Sequence, residues 1–128
     1  MLEAKTLVEE LAGRYRIAEL VSDPWRFGQA AQELRQRGIN VIEFPQNDSR
    51  MLPASDRLYR AVVEKRLVLP DHDELRQHAA NAVAKHSRRG WRLDSPGRDA
   101  NIDAIVALAM ALERIEQQPE PVKVIGWI

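Results

Sequence analysis

Two aspartates occupy positions where a carboxylate could bind a metal ion. The first, Asp23, follows the short, mostly apolar stretch Arg16–Ser22, which we expect to form a strand. Open α/β sheets place their ligand sites at the carboxyl ends of such strands. Asp directly before Pro24 is also a common N-cap of a helix. The two roles are compatible, because one carboxylate oxygen can cap the helix while the other binds a cation.

The second aspartate, Asp103, lies in the first turn of the most apolar helix that the sequence predicts, from Asn101 to about Gln117. An acid in a first turn is favoured by the helix dipole, by roughly 0.3–1 kcal/mol. We expect this helix to be buried on nearly all sides, with Ile102 and Ala104 beside the carboxylate. A bare carboxylate is costly in such surroundings unless a cation or a donor meets it, which favours a functional role.

A run of basic residues around Trp91 is the third candidate, on a predicted β-hairpin. Such a run can bind a phosphate backbone without sequence preference and with strong salt dependence. A hairpin tip that is simply solvated fits the same pattern, and this alternative stays open. His72 and His78 are six residues apart, which is not the spacing of a metal-binding helix pair, so we expect both on the surface. The basic residues are Lys85, His86, Arg88, Arg89 and Arg92.

The composition excludes several classes of function. There are 19 Lys and Arg against 19 Asp and Glu in 128 residues, so nucleic-acid binding requires a local patch. The lack of Cys excludes disulfides, thiolate nucleophiles and Cys-ligated metals. Neither a phosphate-binding glycine loop nor a serine-hydrolase motif occurs. Because the sequence shows no signal peptide and no apolar run near the ~20 residues of a membrane span, we expect a cytoplasmic protein without membrane contact.

These candidates are carried by an α/β fold in one domain, residues 1–128. Helices and strands alternate as α-β-α-β over residues 1–45, and two strands joined by a helix are most simply parallel. The second helix is expected to bury Trp25 and Leu34 and to end at Gly38. The later segments are expected to be a loop at 46–53, a helix at 54–66, a helix from Asp71 through Ala79, the hairpin, a loop at 94–100, the helix at 101–117 and a terminal strand at 122–128.

Three segments in this order resemble one protein family. They are Asp23-Pro24-Trp25, the stretch Val41–Gln46, and Ile102-Asp103 with the alanine-rich helix that follows. The sequence is similar to the C-terminal part of the large terminase subunits of tailed bacteriophages and prophages. Met51–Ala54, Asn81 and Gly126–Ile128 agree with this resemblance, which covers nearly the whole chain.

The resemblance implies part of a ribonuclease H-like nuclease that cuts concatemeric phage DNA during packaging, with two Mg²⁺ or Mn²⁺ ions. Asp23 matches the family's second-strand acid, and Asp103 matches its C-terminal helix acid. The packaging ATPase, the first strands and one further acid would lie outside this sequence, so we expect weak metal binding and weak or absent cleavage. The implied partners are double-stranded DNA and the remaining packaging components, namely the ATPase, the small subunit and the portal.

Two other interpretations remain open. The chain could be a non-enzymatic DNA-binding or assembly module that uses the Lys85–Arg92 hairpin, or an unrelated small α/β protein in which Asp23 and Asp103 are helix caps. Without a first strand, Arg16–Ser22 would be an edge strand, and such edges recruit further strands. We therefore expect a homodimer, or pairing of this edge with Val122–Ile128.

Overall fold

The computed structural model describes residues 2 to 117 as a mixed α/β structure with two short pairs of strands. The strands are β1 and β2, which are parallel, and β3 and β4, which form an antiparallel hairpin. The predicted arrangement of short parallel strands flanked by helices is confirmed, whereas the ribonuclease H-like topology stays a prediction. The elements in chain order are α1 (Leu2–Arg14), β1 (Leu20–Ser22), α2 (Pro24–Gln36), β2 (Val41–Glu43), α3 (Asp48–Val63), α4 (Asp73–Asn81), β3 (Val83–Ser87), β4 (Gly90–Asp94) and α5 (Asp103–Gln117).

The chain divides into two compact units, one ending at Leu52 and one beginning at Pro53. We call them the first unit and the second unit. Asp23 belongs to the first unit, whereas the hairpin and Asp103 belong to the second. The prediction of a single domain stays a prediction.

In the first unit, the strands pair as the α-β-α-β pattern predicted. Leu20 lies opposite Val41 and Ser22 opposite Glu43 in a parallel register. Both strands are three residues long, shorter than the predicted stretches. Alternating helices and strands allow α1 and α2 to bury apolar side chains against this strand pair. The buried cluster consists of Val8, Ala31, Leu34 and Val41.

Helix α2 ends as the sequence predicted, at a glycine. Gly38 has a φ of 88°, which is a left-handed conformation that favours glycine. Its backbone N–H donates to the carbonyl of Arg35, and the N–H of Ile39 donates to the carbonyl of Leu34. These two bonds form a Schellman motif, which satisfies carbonyls at the end of the helix.

Helix α3 begins earlier than predicted, so the loop expected at 46–53 is wrong in most of its length. The side chain of Asn47 caps the helix, because its Oδ1 accepts from the backbone N–H of Arg50 at 3.1 Å. Pro53, the last residue of the predicted loop, lies inside the helix. The helix ends at a Schellman motif in which Lys65, with a φ of 57°, takes the place usually occupied by glycine.

In the second unit, the hairpin is fixed to α3 through a buried serine. Ser55 is fully buried, and its hydroxyl accepts from the backbone N–H of Leu93 on β4 at 3.0 Å. The ring of Tyr59 meets that of Trp91 edge-on, with ring centroids 5.9 Å apart. A polar contact and an aromatic contact thus hold the hairpin's inner face to the helix.

Helix α5 was expected to be buried on nearly all sides, and this prediction is wrong. One face is buried, at Ile105, Ala109 and Leu112. Ala107, Ala111 and Ile115 are exposed, so the helix is amphipathic and not enclosed. The predicted terminal strand at 122–128 lies outside the described residues. None of the helices within residues 2–117 is long and apolar enough to cross a membrane.

Candidate functional site

Asp23 caps helix α2, as the sequence predicted. Its backbone is extended, and its Oδ1 accepts from the backbone N–H of Trp25 at 3.0 Å. It directly follows β1, whose last residue, Ser22, accepts a backbone bond from Phe44. The indole of Trp25 is 91% exposed, so the prediction that it belongs to the buried stripe of α2 is wrong. One carboxylate oxygen of Asp23 therefore has a structural role, and its metal-binding role stays a prediction.

Asp103 begins helix α5, but its surroundings differ from those predicted. The residue is exposed, although Ile102 before it is buried. Its side chain therefore lies at the surface, where water can solvate the carboxylate. The inference that burial forces this acid to have a partner is wrong, and its exposed position suits the helix dipole as well as a cation. Its metal-binding role stays a prediction.

The first turn of α5 is capped by side chains other than Asp103. The backbone N–H of Asp103 donates to Oδ1 of Asn101 at 2.9 Å. The backbone N–H of Ala104 donates to Nδ1 of His78 at 2.9 Å. Asn81 donates from its amide to the carbonyl of Asn101 at 3.0 Å. Two donors of the first turn thus have partners, and the Asp103 carboxylate is not required for either bond.

His78 is the residue of this site that the sequence analysis placed wrongly. Its side chain is buried, with 6% of the residue exposed, whereas His72 is exposed as expected. The spacing contained a signal, since Leu75, His78 and Ala82 recur three and four residues apart, as on one face of a helix. A histidine in such a row is more easily explained by a buried hydrogen bond than by metal binding.

The metal centre implied by the resemblance is not assembled within the described residues. Among residues 2–117 there is no group of three or more His, Cys, Asp or Glu side chains that could hold a metal ion. Carboxylate oxygens are suitable ligands for Mg²⁺ or Mn²⁺, and Mg²⁺ is often bound by one or two of them together with water. Asp23 and Asp103 can each offer such an oxygen, but they belong to different units, and their proximity stays a prediction.

The basic hairpin forms as predicted, but its cations do not share one face. Lys85 lies directly opposite Arg92, so these two side chains are on the same face. His86 lies opposite Trp91, on the other face. Arg88 and Arg89 form the two-residue tip between the strands. The described hairpin therefore presents a pair of like charges on one face and two arginines at its end.

This hairpin is exposed where DNA binding would require it. Every residue of β3, including Lys85, is exposed. Arg88 and Arg89 at the tip are exposed as well, whereas Arg92 on β4 is half-buried. The arrangement fits a phosphate backbone, although the roles of these residues in DNA binding stay a prediction.

Other arginines of the second unit are held in ion pairs. Arg57 and Arg66 each donate to the Glu116 carboxylate, at 2.9 and 2.8 Å. The hydrogen bond from Arg66, followed by that from Arg57, lowers the pKa of Glu116. Arg57 also lies 2.7 Å from the carboxylate of buried Glu113, as an ion pair without the alignment of a hydrogen bond. We regard this cluster as structural, because its cations are already neutralised.

Comparison with known proteins finds a similarity to a phage large terminase. Neither the known protein-family models nor the curated proteins include a match. Among solved structures, the chain is similar to the large terminase of bacteriophage HK97, with a TM-score of 0.73 and 27% identity. The match covers 87% of this chain and 24% of the terminase, so the chain spans about a quarter of that protein's length. The resemblance to a segment of a phage large terminase is thereby confirmed.

Proposed function

We propose that this chain is the DNA-cutting segment of a phage-type large terminase, which cleaves concatemeric DNA with Mg²⁺ or Mn²⁺ during genome packaging. One observation carries this proposal, the structural similarity to the HK97 large terminase across 87% of the chain. The order of the segments that resemble terminases supports the same conclusion independently of the structure. Within this proposal the domain has the ribonuclease H-like fold of terminase nucleases.

The two aspartates are the proposed metal ligands. When bound, paired divalent ions activate a water molecule and stabilise the leaving oxygen of a phosphodiester. Asp23 would contribute the carboxylate oxygen that its helix cap does not use, and Asp103 would contribute its exposed carboxylate. Since the described residues contain no cluster of three such ligands, we expect weak metal binding and slow cleavage by this chain alone.

The hairpin would supply the DNA contact. Lys85 and Arg92 would face the phosphates together, and Arg88 and Arg89 would reach them from the tip. Such contacts bind DNA without sequence preference. The further partners in this proposal are the packaging ATPase, the small subunit and the portal.

The proposal is tested by Mn²⁺ binding, measured by electron paramagnetic resonance, together with plasmid nicking. We expect weak binding that Asp103→Asn and Asp23→Asn each reduce. Any slow nicking should disappear in Asp103→Asn. The matched control is Asp99→Asn, which neutralises an exposed aspartate four residues before Asp103. Equal Mn²⁺ binding by the wild type and both variants would contradict the metal-binding role.

A non-enzymatic DNA-binding module is the second candidate. It is favoured by the exposed Lys85, Arg88 and Arg89 of the hairpin, which would contact DNA whether or not a metal is present. This candidate predicts DNA affinity that is the same with Mn²⁺ and with a chelator, and no nicking under either condition. A gel-shift titration under both conditions distinguishes the two functions.

A further inference from the structure

Helix α4 holds the start of helix α5 through side-chain hydrogen bonds. His78 accepts from the backbone of Ala104, and Asn81 donates to the backbone of Asn101. The amide of Gln77 in turn donates to Oδ1 of Asn81 at 3.0 Å. Asp103 lies between the two anchored positions, so its backbone is fixed from both sides by α4.

We propose that His78 is a positioning residue, which sets the direction of the Asp103 carboxylate by fixing the first turn of α5. This inference rests on the proposed function, in which Asp103 is a metal ligand. His78 does not touch the metal in this proposal. It acts through the Ala104 amide, one residue beyond the acid.

The geometry at His78 requires a specific form of the imidazole. Because Nδ1 accepts a hydrogen bond from a backbone N–H, it carries no proton, and the neutral ring bears its proton on Nε2. The Nε2 atom lies 3.9 Å from the Glu74 carboxylate. Burial keeps water from replacing the ring as the acceptor, so the bond to Ala104 depends on this one side chain.

Capping from a neighbouring helix has a consequence that local capping lacks. A helix such as α2, whose cap is its own preceding residue, can move together with its cap. The first turn of α5 is instead attached to α4 by two bonds. His78 holds Ala104, and Asn81 holds Asn101, two residues before the helix. A ligand on that turn keeps its direction relative to α4, as a preorganised metal ligand requires.

The test uses two substitutions of His78 and a matched control. His78→Leu removes the acceptor and keeps an apolar side chain, whereas His78→Asn keeps an oxygen acceptor near the position of Nδ1. The control His72→Leu changes an exposed histidine that makes no side-chain cap bond. Asn81→Ala provides a second way to release the same turn if His78→Leu does not fold.

The first readout is hydrogen exchange of the Ala104 amide in the metal-free chain, followed by nuclear magnetic resonance. We expect exchange to be faster by about tenfold or more in His78→Leu, because a protected donor loses its acceptor. His78→Asn should restore most of the protection, and His72→Leu should leave it unchanged. Unchanged exchange at Ala104 in both His78→Leu and Asn81→Ala would overturn the inference.

The second readout is Mn²⁺ affinity, which a purely structural role of His78 would not alter in a folded variant. We expect His78→Leu to weaken binding several-fold, and His78→Asn to recover it. Suppose that Asp103→Asn abolishes Mn²⁺ binding, whereas His78→Leu releases the first turn of α5 without weakening Mn²⁺ binding. The inference is then wrong, and the proposed function stands. If Asp103→Asn leaves binding unchanged, the metal-binding role fails, and with it the positioning role, even where Ala104 exchange confirms the cap.

Discussion

Each of the two candidate acids lies at the start of a helix, one in each unit. They contribute differently to those helices. Asp23 in the first unit caps α2 with its own carboxylate. Asp103 in the second unit lies on a helix whose first donors are satisfied by Asn101 and His78. An aspartate would therefore be expected at position 23 for structural reasons alone, whereas at position 103 only the helix dipole offers such a reason.

The two units also differ in how their cations are distributed. In the first unit, Arg37 pairs with Glu9, whereas Arg14 and Arg16 are exposed. The second unit has paired arginines, such as Arg57, and also the exposed Lys85, Arg88 and Arg89 of the hairpin. If the chain binds DNA through the hairpin, the contact belongs to the second unit, which also contains the candidate acid without a capping role.

The largest expected effect is the salt dependence of DNA binding. With Lys85, Arg88, Arg89 and Arg92 contacting phosphates, and His86 on the opposite face, the slope of log K against log salt should be no steeper than about −3.6. Affinity should then fall by roughly a hundredfold between 50 and 200 mM salt. Fluorescence anisotropy with a labelled duplex measures this slope.

A double substitution tests whether the hairpin of the second unit causes this salt dependence. Arg88→Ala with Arg89→Ala should reduce the slope by about 1.8, since two phosphate contacts are lost. The matched control is Arg14→Ala with Arg16→Ala, which removes two exposed arginines from the first unit. If the control reduces the slope as much as the hairpin variant does, the assignment of DNA binding to the hairpin is wrong.

The next effect is the loss of the helix cap at Asp23. Asp23→Ala should lower the free energy of unfolding by about 1 kcal/mol, because the N–H of Trp25 loses its acceptor. Asp23→Ser, which keeps a capping oxygen, should recover most of this loss. Urea unfolding followed by circular dichroism measures both values. Equal stability of Asp23→Ala and the wild type would show that the Asp23 cap does not stabilise the fold.

Features with a local cause could be predicted from the sequence. The cap at Asp23, the end of α2 at Gly38 and the hairpin around Arg88 and Arg89 follow from residue types at fixed positions. The start of α3 was misplaced because the polar stretch 46–53 predicted a loop, whereas Asn47 caps a helix that includes Pro53. The end of α3 was obscured because Lys65, and not a glycine, has the left-handed conformation.

Features that depend on tertiary contacts could not be predicted in the same way. The exposure of Asp103 depends on how far neighbouring elements cover α5, which the alanines at positions 104, 107 and 111 do not indicate. The role of His78 requires α4 to lie beside α5, which no short-range pattern indicates.

A smaller effect is expected at the Glu116 ion pairs, in acid. Because Arg66 and Arg57 lower the pKa of Glu116 in the folded chain, the stabilisation is fully present above the ordinary pKa of a glutamate. It is lost as the pH falls through the lowered pKa. Glu116→Gln should therefore cost at most about 1 kcal/mol at neutral pH, and the difference from the wild type should shrink in acid. A wider gap in acid than at neutral pH, in urea unfolding, would contradict this assignment.

The smallest expected effect is that of Asp103→Asn on stability. The substitution leaves Asn101 and His78 as acceptors for the first turn of α5, so only the interaction of the carboxylate with the helix dipole is lost. We expect a loss of about 0.3 kcal/mol, the lower end of the range for such interactions, because the side chain is exposed and screened by salt. Urea unfolding at low and high salt measures it, and the difference should vanish at high salt. A loss as large as that of Asp23→Ala would mean that Asp103 has a structural role after all. A small loss of stability together with a marked loss of Mn²⁺ binding would instead show that the two acids differ in function. Asp103 would then bind metal while contributing little to the stability of the fold, whereas Asp23 stabilises its helix.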